Sequence, residues 1–270
     1  MNLHTAYLIM NFRKINTPLF SLALFSIVFL VVSSGLKPAR AEEIRAAVSS
    51  NFISPMEKIV ILFHEKTGHN VKVSFGSSGK LFSLIKLGAP FDIFLSADDS
   101  LFEKLKNENL VIARTFVVYA EGRLVLWSPK QNFVDIEGKV LESNAVKKIA
   151  IGNPRLAPYG KAARETLENM NLWKSIQKKI VTGENIAQAY QFADSENAQL
   201  AFISLSQIMK NGEVTHGSFW LIPQKFYTKI QQSAMILSKA RNKKTADEFL
   251  KFLKNPECAA IIRAYGYEIP

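Results

Sequence analysis

The sequence predicts an α/β protein of two lobes, each a mixed sheet flanked by helices, joined by a two-strand hinge. Three observations predict it. Short β-branched runs alternate with stretches of helical spacing through the first half of the chain. The same grammar restarts after a long apolar stretch, 116–127, and a second long run, 230–237, offers a way back. Strand–helix alternation with short links implies parallel β-α-β units in sheets covered on both faces.

Residues 1–41 contain no Asp or Glu. Arg13 and Lys14 precede an apolar run from Leu19 to Val32, and Ala39-Arg40-Ala41 follows it. That run, about 14 residues, is shorter than the roughly 20 a helix needs to cross a bilayer. A basic start, a short apolar centre and an A-x-A end predict a signal peptide, 1–41, cleaved after Ala41. Removing its four basic residues lowers the formal charge from +11 to +7. The single Cys, Cys258, lies far from the new N-terminus, so a lipid anchor has no acceptor there and no intramolecular disulfide can form. The chain is expected not to be membrane-anchored.

The elements follow in order. Ile44–Val48 reads as a strand, and Phe52–Lys66 has the helical spacing Met56, Ile59, Val60, Phe63. Val71–Phe75 is a strand, Lys80–Leu87 a short helix, and Phe91–Ser96 a strand that is apolar but for Asp92. Asp98 caps a helix running to about Lys106. Phe116–Trp127 leaves the first lobe. In the second lobe, Lys148–Ile151 and Leu200–Ile203 read as strands. Gly160–Met170, Leu172–Lys179 and Ile186–Ala193 read as helices. Ile230–Leu237 crosses back, and helices Thr245–Leu253 and Pro256–Tyr265 close the first lobe. The expected division is 42–121 plus 234–270 for lobe 1 and 122–233 for lobe 2.

The informative positions are polar residues where strands give way to helices. They are Ser49-Ser50-Asn51, Gly76-Ser77-Ser78-Gly79, Pro158-Tyr159-Gly160 and Glu184-Asn185-Ile186. At such junctions free backbone N–H groups and the positive end of the helix dipole point outward, and they bind anions without a cationic side chain. In open α/β sheets these loops lie where ligands bind. Any one of them is an ordinary N-cap; two pairs in two lobes behind a signal peptide point to a secreted receptor for an anion.

Other signals fail. Gly76-Ser77-Ser78-Gly79-Lys80 ends like a phosphate loop, but Ser74 stands where its first Gly is needed and Leu81 where Ser or Thr is needed. Lys80 is then a surface residue of a first helical turn. His64-Glu65 with His69 lacks the H-E-x-x-H spacing, so no metal-cation ligands are expected. No G-x-S-x-G elbow with a His and acid partner marks a hydrolase, and no cofactor motif appears. Lysines are scattered along helical faces without a basic–aromatic stripe, which argues against a nucleic-acid partner. A net positive charge would still draw anions from a distance.

Several segments carry a family resemblance. They include IRAAVSSNF (44–52), SFGSSGKL (74–81), GAPFDIFLSAD (88–98), GRLVLWSP (122–129), IAIGNPRLAPYG (149–160), GENIAQAY (183–190) and AAIIRAYGY (259–267). Over essentially the whole mature chain, the sequence resembles the periplasmic molybdate-binding receptors of ABC importers. GAPFDIFLSAD and NPRLAPYG in this order are the specific part.

The resemblance implies the two-lobed periplasmic-binding-protein fold (type II) and a non-enzymatic, monomeric receptor. It implies molybdenum bound only as the oxyanion, with tungstate accepted as a near-isostere, and delivery to a membrane permease. An unanchored receptor needs a second membrane to retain it, which places it in a Gram-negative periplasm. Implied ligand contacts are Ser50, Asn51, Ser78, Tyr159 and Ile186, with Ser77 and Asn185 as neighbours. Ile186 would contribute only its backbone N–H. One branch of the family has a Tyr donor on the segment matching Ala201–Gln207, where this chain has Ser204; Tyr159 fits the other branch. The alternatives are a sulfate or phosphate receptor and, in another class, a secreted hydrolase on the same frame.

Overall fold

Two sheets of five strands each organise the computed structural model, which describes residues 41–270. The expected signal peptide lies outside these residues except for Ala41.

The first lobe begins with β1 (Glu43–Ser49), α1 (Ile53–Thr67), β2 (Asn70–Gly76) and α2 (Ser78–Lys86). It continues through β3 (Ile93–Ser96), α3 (Ser100–Asn107) and β4 (Val117–Gly122). The second lobe holds β5 (Leu124–Ser128), β6 (Ile149–Gly152), α4 (Pro158–Asn169), the short α5 (Trp173–Ile176) and β7 (Ile180–Gly183). It is completed by α6 (Ile186–Asp194), β8 (Leu200–Ser204), a small hairpin of β9 (Met209–Lys210) and β10 (Glu213–Val214), and β11 (Ser218–Leu221). β12 (Ile230–Ile236), α7 (Lys243–Leu253) and α8 (Pro256–Ala264) return to the first lobe.

The sheets share one plan. In the first, the order is β2-β1-β3-β12-β4, with β1 parallel to β2 and β3 and β12 antiparallel to both its neighbours. In the second, the order is β11-β5-β8-β6-β7, with β6 parallel to β7 and β8 and β5 antiparallel to both its neighbours.

Alternation along the strands divides the core. Ile44, Ala46 and Val48 face Met56, Ile59 and Phe63 of α1 together with Phe249 and Ile262 of the terminal helices. Ala47 and Phe94 face Leu81 and Ile85 of α2 and Leu101 and Leu105 of α3. The second lobe closes around Leu126, Trp127, Ile149, Ile151, Phe202 and Ile203.

Three sequence readings need revision. Ile180–Gly183 is an edge strand paired with β6, not a link; the preceding helix ends at Ile176 and tightens into a 3-10 turn over Gln177–Lys179. The run 116–127 is two strands, one in each sheet, parted at Arg123. The return crossing falls before Ile230 rather than between 233 and 234, because β12 pairs with β4 from Ile230 opposite Gly122. A ladder irregularity between Gln232 and Ser233 leaves the whole strand in the first sheet. Apolar periodicity identifies a strand but not the sheet it joins.

Candidate functional site

Strand register sets the site. Ser49 ends β1 opposite Gly76 of β2, and Gly152 ends β6 opposite Gly183 of β7. Each lobe therefore brings two strand ends, and the helical turns after them, side by side. The four turns meet at a cavity lined by Ser49, Ser50, Asn51, Ser77 and Ser78 from the first lobe and by Ala157, Pro158, Tyr159 and Ile186 from the second. No charged side chain lines it. The volume open to a water centre is about 10 Å³, on the order of a single water site.

Glycine makes the convergence possible. A Cβ on Gly160 would lie 2.1 Å from the Gly152 carbonyl oxygen, so α4 starts directly on the end of β6. Pro158 takes the first position of α4, where its missing N–H costs nothing. A main-chain bond from the Gly79 N–H to the Leu156 oxygen, 2.9 Å, ties the α2 turn to the second lobe.

The residues proposed from sequence sort into different roles. Ser78 Oγ accepts the Ala97 N–H at 3.0 Å and is hydrogen-bonded to Ser49 Oγ. If Ser49 donates, the Ser78 proton is free for a ligand in the cavity. Ser77 precedes α2, and its hydroxyl is buried with no hydrogen-bond partner. The Tyr159 hydroxyl is likewise buried and makes no hydrogen bond of good geometry, with the Ser204 hydroxyl beside it. A methyl group on Gly122 would meet that hydroxyl at 1.9 Å, so the phenol reaches the strand that leaves the first lobe.

Two side chains are already committed. Asn51 Nδ2 donates to Gln232 Oε1 and to the Tyr267 hydroxyl, each at 2.8 Å, which leaves its main chain for the cavity. Asn185 Oδ1 accepts the Ala187 and Gln188 N–H groups at 2.9 and 3.1 Å. It is an N-cap, absent from the cavity wall, and it leaves the Ile186 N–H as the donor at the tip of α6. Ser204 hydrogen-bonds Ser206 at 2.8 Å and does not line the cavity. Ser49, named with the first junction but not among the implied ligand contacts, also lines the cavity. Lys80, expected as a surface residue, pairs with Glu184 of the fourth junction across the cleft mouth. Among the described residues, no group of three or more His, Cys, Asp or Glu side chains could hold a metal ion.

The two-lobed plan, with neutral donors at the four strand ends, can be set against known proteins. Residues 44–268 match the bacterial extracellular solute-binding protein family. The chain belongs to that family. A molybdate-binding protein ModA of Azotobacter vinelandii is 44% identical over 90% of this chain and 98% of its own length. That of Rhodobacter capsulatus is 43% identical over 85% of this chain and 90% of its own length. A solved periplasmic molybdate-binding protein of Azotobacter vinelandii superposes with a TM-score of 0.82 at 38% identity, covering 84% of this chain and 99% of that one. These relatives are named as binding proteins, not enzymes.

Burial also fixes the protonation of the family fold's buried phenols. It raises Tyr159 well above the usual range and Tyr267 to about 12. Both therefore remain donors at neutral pH. Each holds its proton more tightly folded than unfolded; the share of stability from Tyr267 is complete below pH 10 and lost as the pH climbs towards 12, and that from Tyr159 is lost in the same direction. The melting temperature is expected to fall through that window, and to fall less steeply in Tyr267→Phe; parallel pH–melting curves for the two proteins would contradict this.

Proposed function

We infer that this protein is a periplasmic receptor that binds molybdate between its lobes and delivers it to an ABC importer. The observation that carries this reading is the cavity itself: helical N-termini and serine and tyrosine hydroxyls from both lobes, with no charged side chain. Molybdate at neutral pH is a dianion that only accepts hydrogen bonds. Neutral N–H and O–H donors suit it, and its charge strengthens each bond. Full-length identity to molybdate-binding proteins supports the same ligand. Hydrogen phosphate would need an acceptor for its proton, and no carboxylate lines the cavity. Tungstate, alike in size and charge, should bind as well.

The proposed contacts are the hydroxyls of Ser50, Ser77, Ser78 and Tyr159 and the main-chain donors of Asn51, Tyr159 and Ile186. The walls of so small a cavity must move apart to admit a four-oxygen ion. Entry then requires the two lobes to part about the paired crossings 122–124 and 222–229, a hinge motion. We further propose that the receptor is a monomer, exported by the leader 1–41, with β1 starting just beyond the cleavage site.

Protein purified from the periplasm should begin at Glu42. At a molybdate concentration one hundred times the dissociation constant it should gain about 2.7 kcal/mol of stability, seen as a rise in melting temperature. No shift with either molybdate or tungstate sinks the ligand assignment; an equal shift with sulfate moves it to sulfate.

A further inference from the structure

Behind the cavity lies a buried network that the ligand contacts do not use. The Asn51 carbonyl oxygen accepts two hydroxyls: Ser206 Oγ at 2.7 Å and the Tyr267 hydroxyl at 2.8 Å. Asn51 Nδ2 returns a bond to the Tyr267 oxygen, and Ser204 Oγ lies 2.8 Å from Ser206 Oγ. One assignment of protons satisfies every member: Ser204 donates to Ser206, Ser206 and Tyr267 to the carbonyl, and the Asn51 amide to Tyr267 and Gln232. Asn51, Ser204, Ser206, Gln232 and Tyr267 are all under 5% exposed.

The two donors come from different lobes. Tyr267 follows α8 in the first lobe, held by the Glu121–Glu268 bridge to β4 and packed edge-on against Phe52, with ring centroids 5.3 Å apart. Its bond to Asn51 is therefore internal to that lobe. Ser206 sits in the 3-10 turn Leu205–Gln207, directly after β8 of the second lobe. Its bond to Asn51 spans the cleft, and separating the lobes breaks it while leaving the carbonyl with Tyr267. The carbonyl belongs to a residue that lines the cavity. Donors on a carbonyl polarise the peptide chain they join, so the same turn that would face the anion is reinforced when the cleft shuts.

We propose that Ser206 is a positioning residue for closure: its hydroxyl clamps the Asn51 peptide only in the closed protein and slows release of the bound anion. Tyr267 holds the same peptide in both states. This rests on the molybdate reading above, and the test separates the two.

The first arm measures molybdate binding to the wild type; none overturns the reading and the clamp together. The second arm measures molybdate dissociation by stopped flow. Ser206→Ala should release molybdate about tenfold faster, as expected for one buried hydrogen bond. The association rate and the ligand-free melting temperature should stay near those of wild type, and Ser206→Thr should restore slow release. Tyr267→Phe serves as the contrast, since it should lower the ligand-free melting temperature as well. A wild-type protein that binds molybdate beside a Ser206→Ala variant with unchanged release overturns the clamp. So does a Ser206→Ala variant whose ligand-free stability falls as that of Tyr267→Phe does while its release rate stays put.

Discussion

Tyr159→Phe is expected to weaken molybdate binding by about 1–3 kcal/mol, roughly 5- to 150-fold. The hydroxyl is buried and makes no hydrogen bond of good geometry in the protein, and Tyr159 is only 1% exposed. Burying an unpaired hydroxyl is unfavourable, and a native protein retains such a group where something else completes it. A ligand oxygen at the cavity would do so. The phenylalanine variant therefore loses a donor in the complex but no hydrogen bond in the free protein. Its ligand-free melting temperature should hold or rise while its affinity falls. Calorimetry and thermal melting together read this opposite movement. Unchanged affinity, or a fall in both quantities, would show that the phenol is structural. Ser77, whose hydroxyl is unpartnered, should behave in the same way on substitution by Ala.

Gly160→Ala should damage both the site and the second lobe. The added methyl would stand 2.1 Å from the Gly152 oxygen and 2.5 Å from its carbonyl carbon. Both obstructing atoms are main chain at the end of a central strand, so no side-chain rotation relieves them. Either β6 or the start of α4 must move. Overpacking of this kind costs about 1–3 kcal/mol, and the displaced turn carries Tyr159 with it. The expected result is a lower melting temperature and at least a tenfold loss of affinity for molybdate. A variant that keeps full affinity would mean that the tip of α4 is not held where the ligand contacts require it.

The fold was largely legible because local chemistry agreed with tertiary placement. Ser, Asn, Gly and Pro stand at strand ends, and β-branched runs alternate with helical spacing. Asn185 shows the limit of that agreement. A polar residue before a helix reads the same whether it binds a ligand or its own backbone, and here the side chain caps α6. The strand Ile180–Gly183 was missed because four residues at a sheet edge, two of them half-buried and one exposed, carry no period of their own. The cross-cleft contacts were beyond sequence reading for a different reason. Lys80 and Glu184 are 104 residues apart, and Asn51 and Ser206 are 155 apart. Nothing in either segment names its partner. The same holds for the unpaired hydroxyls of Ser77 and Tyr159, since sequence gives a donor but not whether the fold satisfies it.

The central claim is that one oxyanion sits where the four turns meet. Crystals of the protein grown with molybdate and measured at the molybdenum absorption edge test it most directly. One anomalous peak per chain is expected, with its oxygens within hydrogen-bonding reach of Ser77, Ser78, the Tyr159 hydroxyl and the Ile186 N–H. A peak confined to the basic residues at the outer rim of the cleft (Lys104, Arg155 and Lys161), or no peak from protein saturated with molybdate, would contradict it.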